Sequence, residues 1–259
     1  MLAPFHSGRP LKRWRYVAVF CEDVMACAAT VQVGPVKQSF WAVLDRRNGR
    51  LRERTRLLPR RKLLELGPGR LRLRDGDVRL DLELEEEPGV EARCPHGRAW
   101  IWTRKQAGVR AHGTIGIDDQ RPHAIDALAV IDDTAGYHAR VTEWRWGAGV
   151  GVDPDGIPLA FNLVEGVNDP PRGSERTIWV AGVPHEAQPV RFAADLTSIS
   201  CADGSELRFA AEAERARRED LLLVRSEYRA PFGTFEGRLP GGIVLARGLG
   251  VMEHHKARW

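Results

Sequence analysis

RLRLRDGDVRLDLELE, from Arg70 to Glu85, decides the fold class. Leu71 and Leu73 before Asp75-Gly76, and Val78, Leu80, Leu82 and Leu84 after it, alternate with charged residues at the period of two that marks a strand with one buried face. Asp-Gly suits the centre of a type I′ turn, where both residues need a left-handed backbone. The segment reads as a β-hairpin with Leu73 opposite Val78 and Leu71 opposite Leu80, while Asp81, Glu83 and Glu85 face solvent.

The same pattern extends in both directions. Upstream, WRYVAVF (Trp14–Phe20), VMACAATVQV (Val24–Val33) and SFWAVLD (Ser39–Asp45) are rich in the β-branched and aromatic residues that strands favour. Downstream, VEARC, AWIWTRK and GVRAHGTIGI continue the series, with Trp100 and Trp102 on one face. In Val152-Asp-Pro-Asp-Gly-Ile157, Pro154 presets its backbone angle and Gly156 takes the left-handed position, so PLAFNLVEGV returns as a hairpin. Ala202-Asp203-Gly204 is a three-residue hairpin loop that sets Ile199 opposite Leu207. ELRFAAEAERARRED has helix-like composition, but its Leu207/Phe209 alternation and its place in a hairpin favour a strand over a helix.

Roughly fourteen to eighteen short strands with tight turns describe an all-β protein. The expected architecture is two antiparallel β-barrel or sandwich halves packed together. The acid- and Pro-containing segment Asp118–Asp126 divides them into residues 1–122 and 123–259.

At 259 residues with 43% hydrophobic and 29% charged residues, the chain can bury a sizeable core, and disorder is not indicated. No apolar run reaches the roughly 18 residues of a membrane helix, and the first residues carry no apolar secretory core, so the cytoplasm is expected. Cys21, Cys27, Cys94 and Cys201 form no C-x-x-C pair and read as buried reduced thiols. The sequence carries no signal of oligomeric state. Net charge is +4, concentrated in Arg46–Lys62, where Arg50, Arg52, Arg54 and Arg56 share a strand face. A nucleic-acid groove uses such a ladder. A solvated charge ladder against the acidic strand Asp81–Glu85 accounts for it better, so a nucleic-acid partner is not expected.

The chemistry concentrates in DDTAGYHARVTEWRW, Asp132–Trp146, with Gly136 as a hinge. As a strand from Tyr137, it puts His138, Arg140, Thr142, Trp144 and Trp146 on one face. His138, Asp132 or Asp133 would supply a proton, Tyr137 and Arg140 would tune or orient the donor, and Trp144 and Trp146 would form an apolar wall. A buried hydrogen-bond network holding the barrel accounts for His138 and Arg140 equally well. The tail GLGVMEHHKARW is too apolar for a frayed end, and docked as a strand it brings Glu253 and His255 to the same site. No metal spacing occurs, and the glycines of RGLGVME lack a dinucleotide-binding context, so neither metal nor cofactor is expected.

RWRY, SFWAVLDRRNGRLRERTRLLP, GYHARVTEWRWGAGVG, NLVEGVNDPPRGSER, APFGTFEGRLPGG and GLGVMEHHKARW together resemble the bacterial domain-of-unknown-function family 2804, in order and over nearly the whole chain. Glu253, His255 and Trp259 match that family's tail, whereas His254 stands where the family carries an acid. More distantly, the Trp-rich strands resemble the paired lipocalin-like barrels of carotenoid hydratases, tocopherol cyclase and related enzymes. The resemblance implies a cavity for a hydrophobic small molecule, with acid-catalysed hydration, isomerisation or cyclisation as the candidate chemistry. A non-catalytic lipid carrier or a structural barrel is the alternative. Arg140, Trp144, Trp146, Asn162 and Trp259 are the expected ligand-binding residues.

Overall fold

A computed structural model describes residues 2–57, 62–118, 121–221 and 224–258. A short ribbon, β1 (Phe5–His6) and β2 (Arg9–Pro10), precedes two large antiparallel sheets. The first contains β3 (Lys12–Phe20), β4 (Val24–Val33), β5 (Val36–Asp45), β6 (Arg50–Leu57), β7 (Leu64–Gly67), β8 (Arg70–Asp75), β9 (Val78–Leu84), β10 (Val90–His96), β11 (Ala99–Ile117) and β12 (His123–Gly136). The second contains β13 (Val141–Val152), β14 (Pro158–Glu165), β15 (Thr177–Val180), β16 (Val183–Glu186), β17 (Val190–Phe192), β18 (Ser198–Cys201), β19 (Glu206–Leu221), β20 (Val224–Leu239) and β21 (Ile243–Arg258). Among the described residues there is no helix, and so none that is long and apolar enough to cross a membrane.

The two sheets share one connectivity. The first runs β6-β5-β4-β3-β12-β11-β9-β8-β7, with β10 on the other end of β11, and the second runs β16-β15-β14-β13-β21-β20-β19-β18-β17. In each, the last strand returns to pair with the first: β12 with β3, and β21 with β13. The tail is thus a central strand of its sheet. The sheets divide at residues 137–140; the Asp118–Asp126 segment, expected to separate the halves, lies between β11 and β12 of one sheet.

Each sheet curls around its own core, and a third core lies between them. Val17, Val19, Ala26, Val43, Leu71, Leu80 and Ile115 fill the first. Phe161, Leu163, Phe192, Phe209, Phe235 and Met252 fill the second. The intervening layer takes the opposite faces of the same strands: Tyr16, Ala18, Phe20, Met25 and Leu44 from one sheet meet Trp146, Val150, Tyr228, Phe232 and Val251 from the other. Strands covered on both faces explain the unbroken apolar runs Tyr16–Phe20 and Val24–Ala29.

Ile199 opposes Leu207, and Gly156 and Gly204 adopt the left-handed backbone that their turns require. Glu206–Leu221 is a strand. In the Arg70–Glu85 hairpin the register differs: Leu73 opposes Leu80, Leu71 opposes Leu82, and the two-residue loop is Gly76-Asp77. The cause is Asp75, which belongs to the strand because its carboxylate accepts hydrogen bonds from Trp41 Nε1 (3.0 Å), Arg54 Nη1 (2.6 Å) and Arg56 Nε (2.9 Å). The slip preserves parity, so the same leucines stay buried.

Asp75 also explains the arginine ladder. Arg54 and Arg56 bind it, and Arg52 pairs with Asp118, so β6 meets the far flank of its own sheet through side chains instead of a hydrogen-bonded ladder. The acidic strand does not face β6: Asp81 pairs with Arg70 and Arg72 of the adjacent β8. With these carboxylates in place, nucleic-acid binding is not indicated. In the second sheet Glu165 plays the matching part, bonding Arg191 (2.7 Å) and the Phe192 amide (3.0 Å). All four cysteines are free thiols, buried or half-buried.

Candidate functional site

A cavity of about 400 Å³ lies between the two curled sheets, outside either barrel interior. Trp14, Tyr16, Val31, Phe40, Asp132 and Lys105 line it from the first sheet. Trp144, Trp146, Tyr228, Glu253, His255 and Arg215 line it from the second, with Asn168 and Glu175 contributed by the loop after β14. Its mouth is at Val36 and Leu57, which are 56% and 53% exposed.

The chain reaches this cavity by crossing from one sheet to the other, and that corrects the sequence expectation of one continuous strand. Tyr137–Arg140 is a non-strand link, with Asp132 and Asp133 on β12 before it and Trp144 and Trp146 on β13 after it. His138, Asp132, Trp144 and Trp146 do share the cavity, but the crossing brings them together, not a common strand face.

Four expected residues do not line the cavity. Asp133 projects from the opposite face of β12, where Arg15 (2.9 Å) and Arg104 (2.6 Å) neutralise it. Tyr137 is buried against Trp100, and its hydroxyl donates to the Ala3 carbonyl (2.8 Å). Arg140 is exposed and does not line the cavity, because the link has no alternation to carry it inward. Asn162 sits behind the wall: its Oδ1 accepts from Trp146 Nε1 (2.7 Å) and its Nδ2 donates to the Glu175 carbonyl (2.9 Å), fixing the indole. Trp259 lies outside the described residues.

The tail supplies a strongly perturbed carboxyl. Strand alternation puts Glu253 and His255 on the cavity face, while Met252 enters the barrel core and His254 bonds Glu143 outside. Glu253 is opposite Trp146 in register, and His255 is opposite both Trp144 and Tyr228. Trp144 Nε1 donates to Glu253 Oε1 (2.8 Å), and Tyr228 also hydrogen-bonds this carboxyl. Burial outweighs these two bonds and pushes Glu253 up to about 7. The same burial, aided by His254 and Arg215, pushes His255 down to about 3, leaving a neutral imidazole bonded to Ser226 Oγ (2.8 Å).

His138 is neutral as well. Its side chain is 1% exposed and rests against the Trp14 ring at 5.1 Å. Burial, followed by the charge of Lys12, holds it well below the ordinary histidine range. Neither ring nitrogen has a well-formed hydrogen bond in the protein. A neutral imidazole carries no acidic imidazolium proton, whereas Glu253 retains its carboxyl proton to about 7.

Lys105 and Glu175 escaped the sequence analysis. Lys105 Nζ bridges Asp132 Oδ1 (2.8 Å) and Glu175 Oε1 (3.2 Å), joining the first sheet to a loop of the second. Burial opposes the lysine's charge, but the two carboxylates hold it protonated. Burial raises Glu175 in turn, against the attraction of Lys105. Asp132 is further held by Trp14 Nε1 (3.0 Å) and Thr134 Oγ1 (2.8 Å). Arg215, 3% exposed, completes the wall with its guanidinium 4.2 Å above the Phe40 ring and 4.9 Å from that of Tyr228. Among the described residues no cluster of three His, Cys, Asp or Glu is placed to hold a metal.

Two curled sheets enclosing an intervening cavity define a paired, lipocalin-like β protein. The sequence profile described as Domain of unknown function (DUF2804) matches residues 70–259, and the chain belongs to that family. No curated protein matches the chain. Among solved structures, a protein described as an AttH from Nitrosomonas europaea superposes with a TM-score of 0.61 at 13% identity, over 94% of this chain and 91% of that one. Kievitone hydratase from Nectria haematococca gives 0.55 at 12% identity over 94% and 88%, and CghA gives 0.52 at 10% over 96% and 88%. At such identities the likeness is one of fold.

Proposed function

We propose that the protein binds a hydrophobic small molecule in the cavity between its two barrels and protonates it through Glu253. The observation that carries this reading is a buried carboxyl, raised to about 7, fixed by Trp144 and Tyr228 in a wall of aromatic rings. A carboxylic acid that retains its proton near neutral pH is suited to general-acid catalysis. Trp14 and Trp144, stacked with ring centroids 6.4 Å apart, present π-faces that favour developing positive charge.

In the proposed step the Glu253 proton adds to one carbon of an olefin. The π bond breaks, a C–H bond forms, and positive charge develops on the neighbouring carbon. Addition of water gives hydration, loss of a different proton gives isomerisation, and attack by an internal nucleophile gives cyclisation. The carboxylate then regains a proton from the substrate or solvent. That one fold neighbour is a hydratase agrees with this chemistry without establishing it.

The test is to extract the ligand from protein purified from its own host and return it to wild type and to Glu253→Gln in D₂O. Deuterium on carbon with wild type alone is the expected result. Ligand recovered unlabelled from both defines a carrier and overturns the proton-transfer reading.

A further inference from the structure

The polar groups of the cavity are unevenly matched, and the imbalance bears on the head group of its ligand. Three carboxyl side chains line the deep part: Asp132, Glu175 and Glu253. The lining cations among the described residues are Lys105, Arg215 and Arg217, and each is already engaged. Lys105 Nζ is held between Asp132 and Glu175. Arg215 Nη2 donates to Thr55 Oγ1 (2.8 Å), its Nε lies 3.1 Å from Glu53 in an ion pair without a well-aligned hydrogen bond, and its guanidinium rests against the Phe40 and Tyr228 rings. Arg217 Nε donates to Glu219 Oε1 (2.6 Å). Among the described residues, each lining cation already has a carboxylate counterion.

Asn168 adds an acceptor to the same end. Its Nδ2 donates to Glu175 Oε2 (2.8 Å), which fixes the orientation of the amide, and its Oδ1 is buried without a protein donor. The residue holds a left-handed backbone, φ 56°, which asparagine tolerates better than most side chains. A buried acceptor of this kind is satisfied by water in an empty cavity, and a ligand that displaces the water must bring its own donor. At the other end Val31, Val33, Val36 and Leu57 form an apolar passage to solvent.

Resting on the reading that this cavity takes an apolar molecule, we infer that its ligand is an amphiphile with a hydroxyl head and that the site rejects carboxylate-headed lipids such as fatty acids. The hydroxyl lies at the Asn168–Glu175–Asp132 end and the apolar body extends toward Val36 and Leu57.

Dodecan-1-ol, dodecyl methyl ether and dodecanoate carry the same chain with different heads, and Trp14, Trp144 and Trp146 supply an intrinsic fluorescence signal. At pH 8 wild type is expected to bind the alcohol about tenfold or more tightly than either the ether or the carboxylate. Glu175→Gln is expected to narrow the gap between alcohol and dodecanoate. Dodecanoate binding as tightly as the alcohol overturns the inference while leaving the apolar cavity standing, and so does an ether as tight as the alcohol. An unchanged ratio in folded Glu175→Gln overturns the charge explanation. Failure of all three chains, together with the neutral probe N-phenyl-1-naphthylamine, removes the cavity reading and this inference with it. The wild-type comparison needs no variant to fold.

Discussion

Replacing Glu253 with glutamine should change how stability depends on pH, by an amount the structure sets. The carboxyl ionises near 4.5 when free and is raised to about 7 by burial in the folded protein. Between these values the folded state binds the proton and the unfolded state does not, so wild-type stability falls as pH rises through this interval. At ~1.4 kcal/mol per pH unit, the total loss assigned to this one group is about 3 kcal/mol. The side-chain amide of the Glu253→Gln variant cannot ionise, and it keeps an oxygen to accept from Trp144 Nε1. The difference in unfolding free energy, variant minus wild type, should therefore grow by about 3 kcal/mol between pH 4 and pH 8. Urea unfolding of both proteins across that range measures it, and subtraction cancels every titration they share. A difference that stays flat with pH would mean Glu253 is ionised in the folded protein, and the proposed acid would be lost.

Other consequences follow from the same contacts. Lys105→Met leaves Asp132 and Glu175 facing each other without their cation and should cost about 3–5 kcal/mol in urea unfolding; a loss below about 1 kcal/mol would show that the bridge is not formed. Because His138 and His255 are held below the ordinary histidine range, charging them opposes folding. The His255 imidazole NMR signals should stay in the neutral form down to about pH 5 and those of His138 should titrate below the ordinary histidine range, and a midpoint near about 6.5 for either would contradict its burial. The Arg52–Arg56 ladder is matched by Asp75 and Asp118, so retention on heparin should vanish by roughly 100 mM salt. Retention beyond that would reopen the nucleic-acid reading.

Much of the fold was legible because short-range chemistry encodes it. Gly156 and Gly204 mark their hairpins through backbone conformations that other residues resist, and alternation carried Glu253 and His255 correctly to one face. The slip at Asp75 was not legible, since the side chains that hold this carboxylate in the strand come from β5 and β6, nineteen or more residues away. Barrel closure is a tertiary event with no local signature. For the same reason the arginine ladder was assigned the wrong acidic partners.

The site divides along the same line. Residues 132–146 contain five of its members, yet Tyr137–Arg140 carries no proline to announce the crossing. Gly136 was the one local sign: a Cβ there would lie 2.6 Å from the Ile101 Cα. Lys105 and Glu175 stood in an ordinary strand and an ordinary loop, and only the meeting of the two halves makes them a pair. His138 was expected at the site and does line the cavity, but the burial and the Lys12 charge that depress its basicity come from tertiary packing the sequence does not show.

The claim that an apolar molecule occupies the cavity between the barrels is tested most directly by native mass spectrometry of protein purified from its own host. A discrete mass increment from a bound organic molecule, released on denaturation and displaced by dodecan-1-ol, is expected. A spectrum showing the bare chain alone, unchanged when dodecan-1-ol is added, would contradict it.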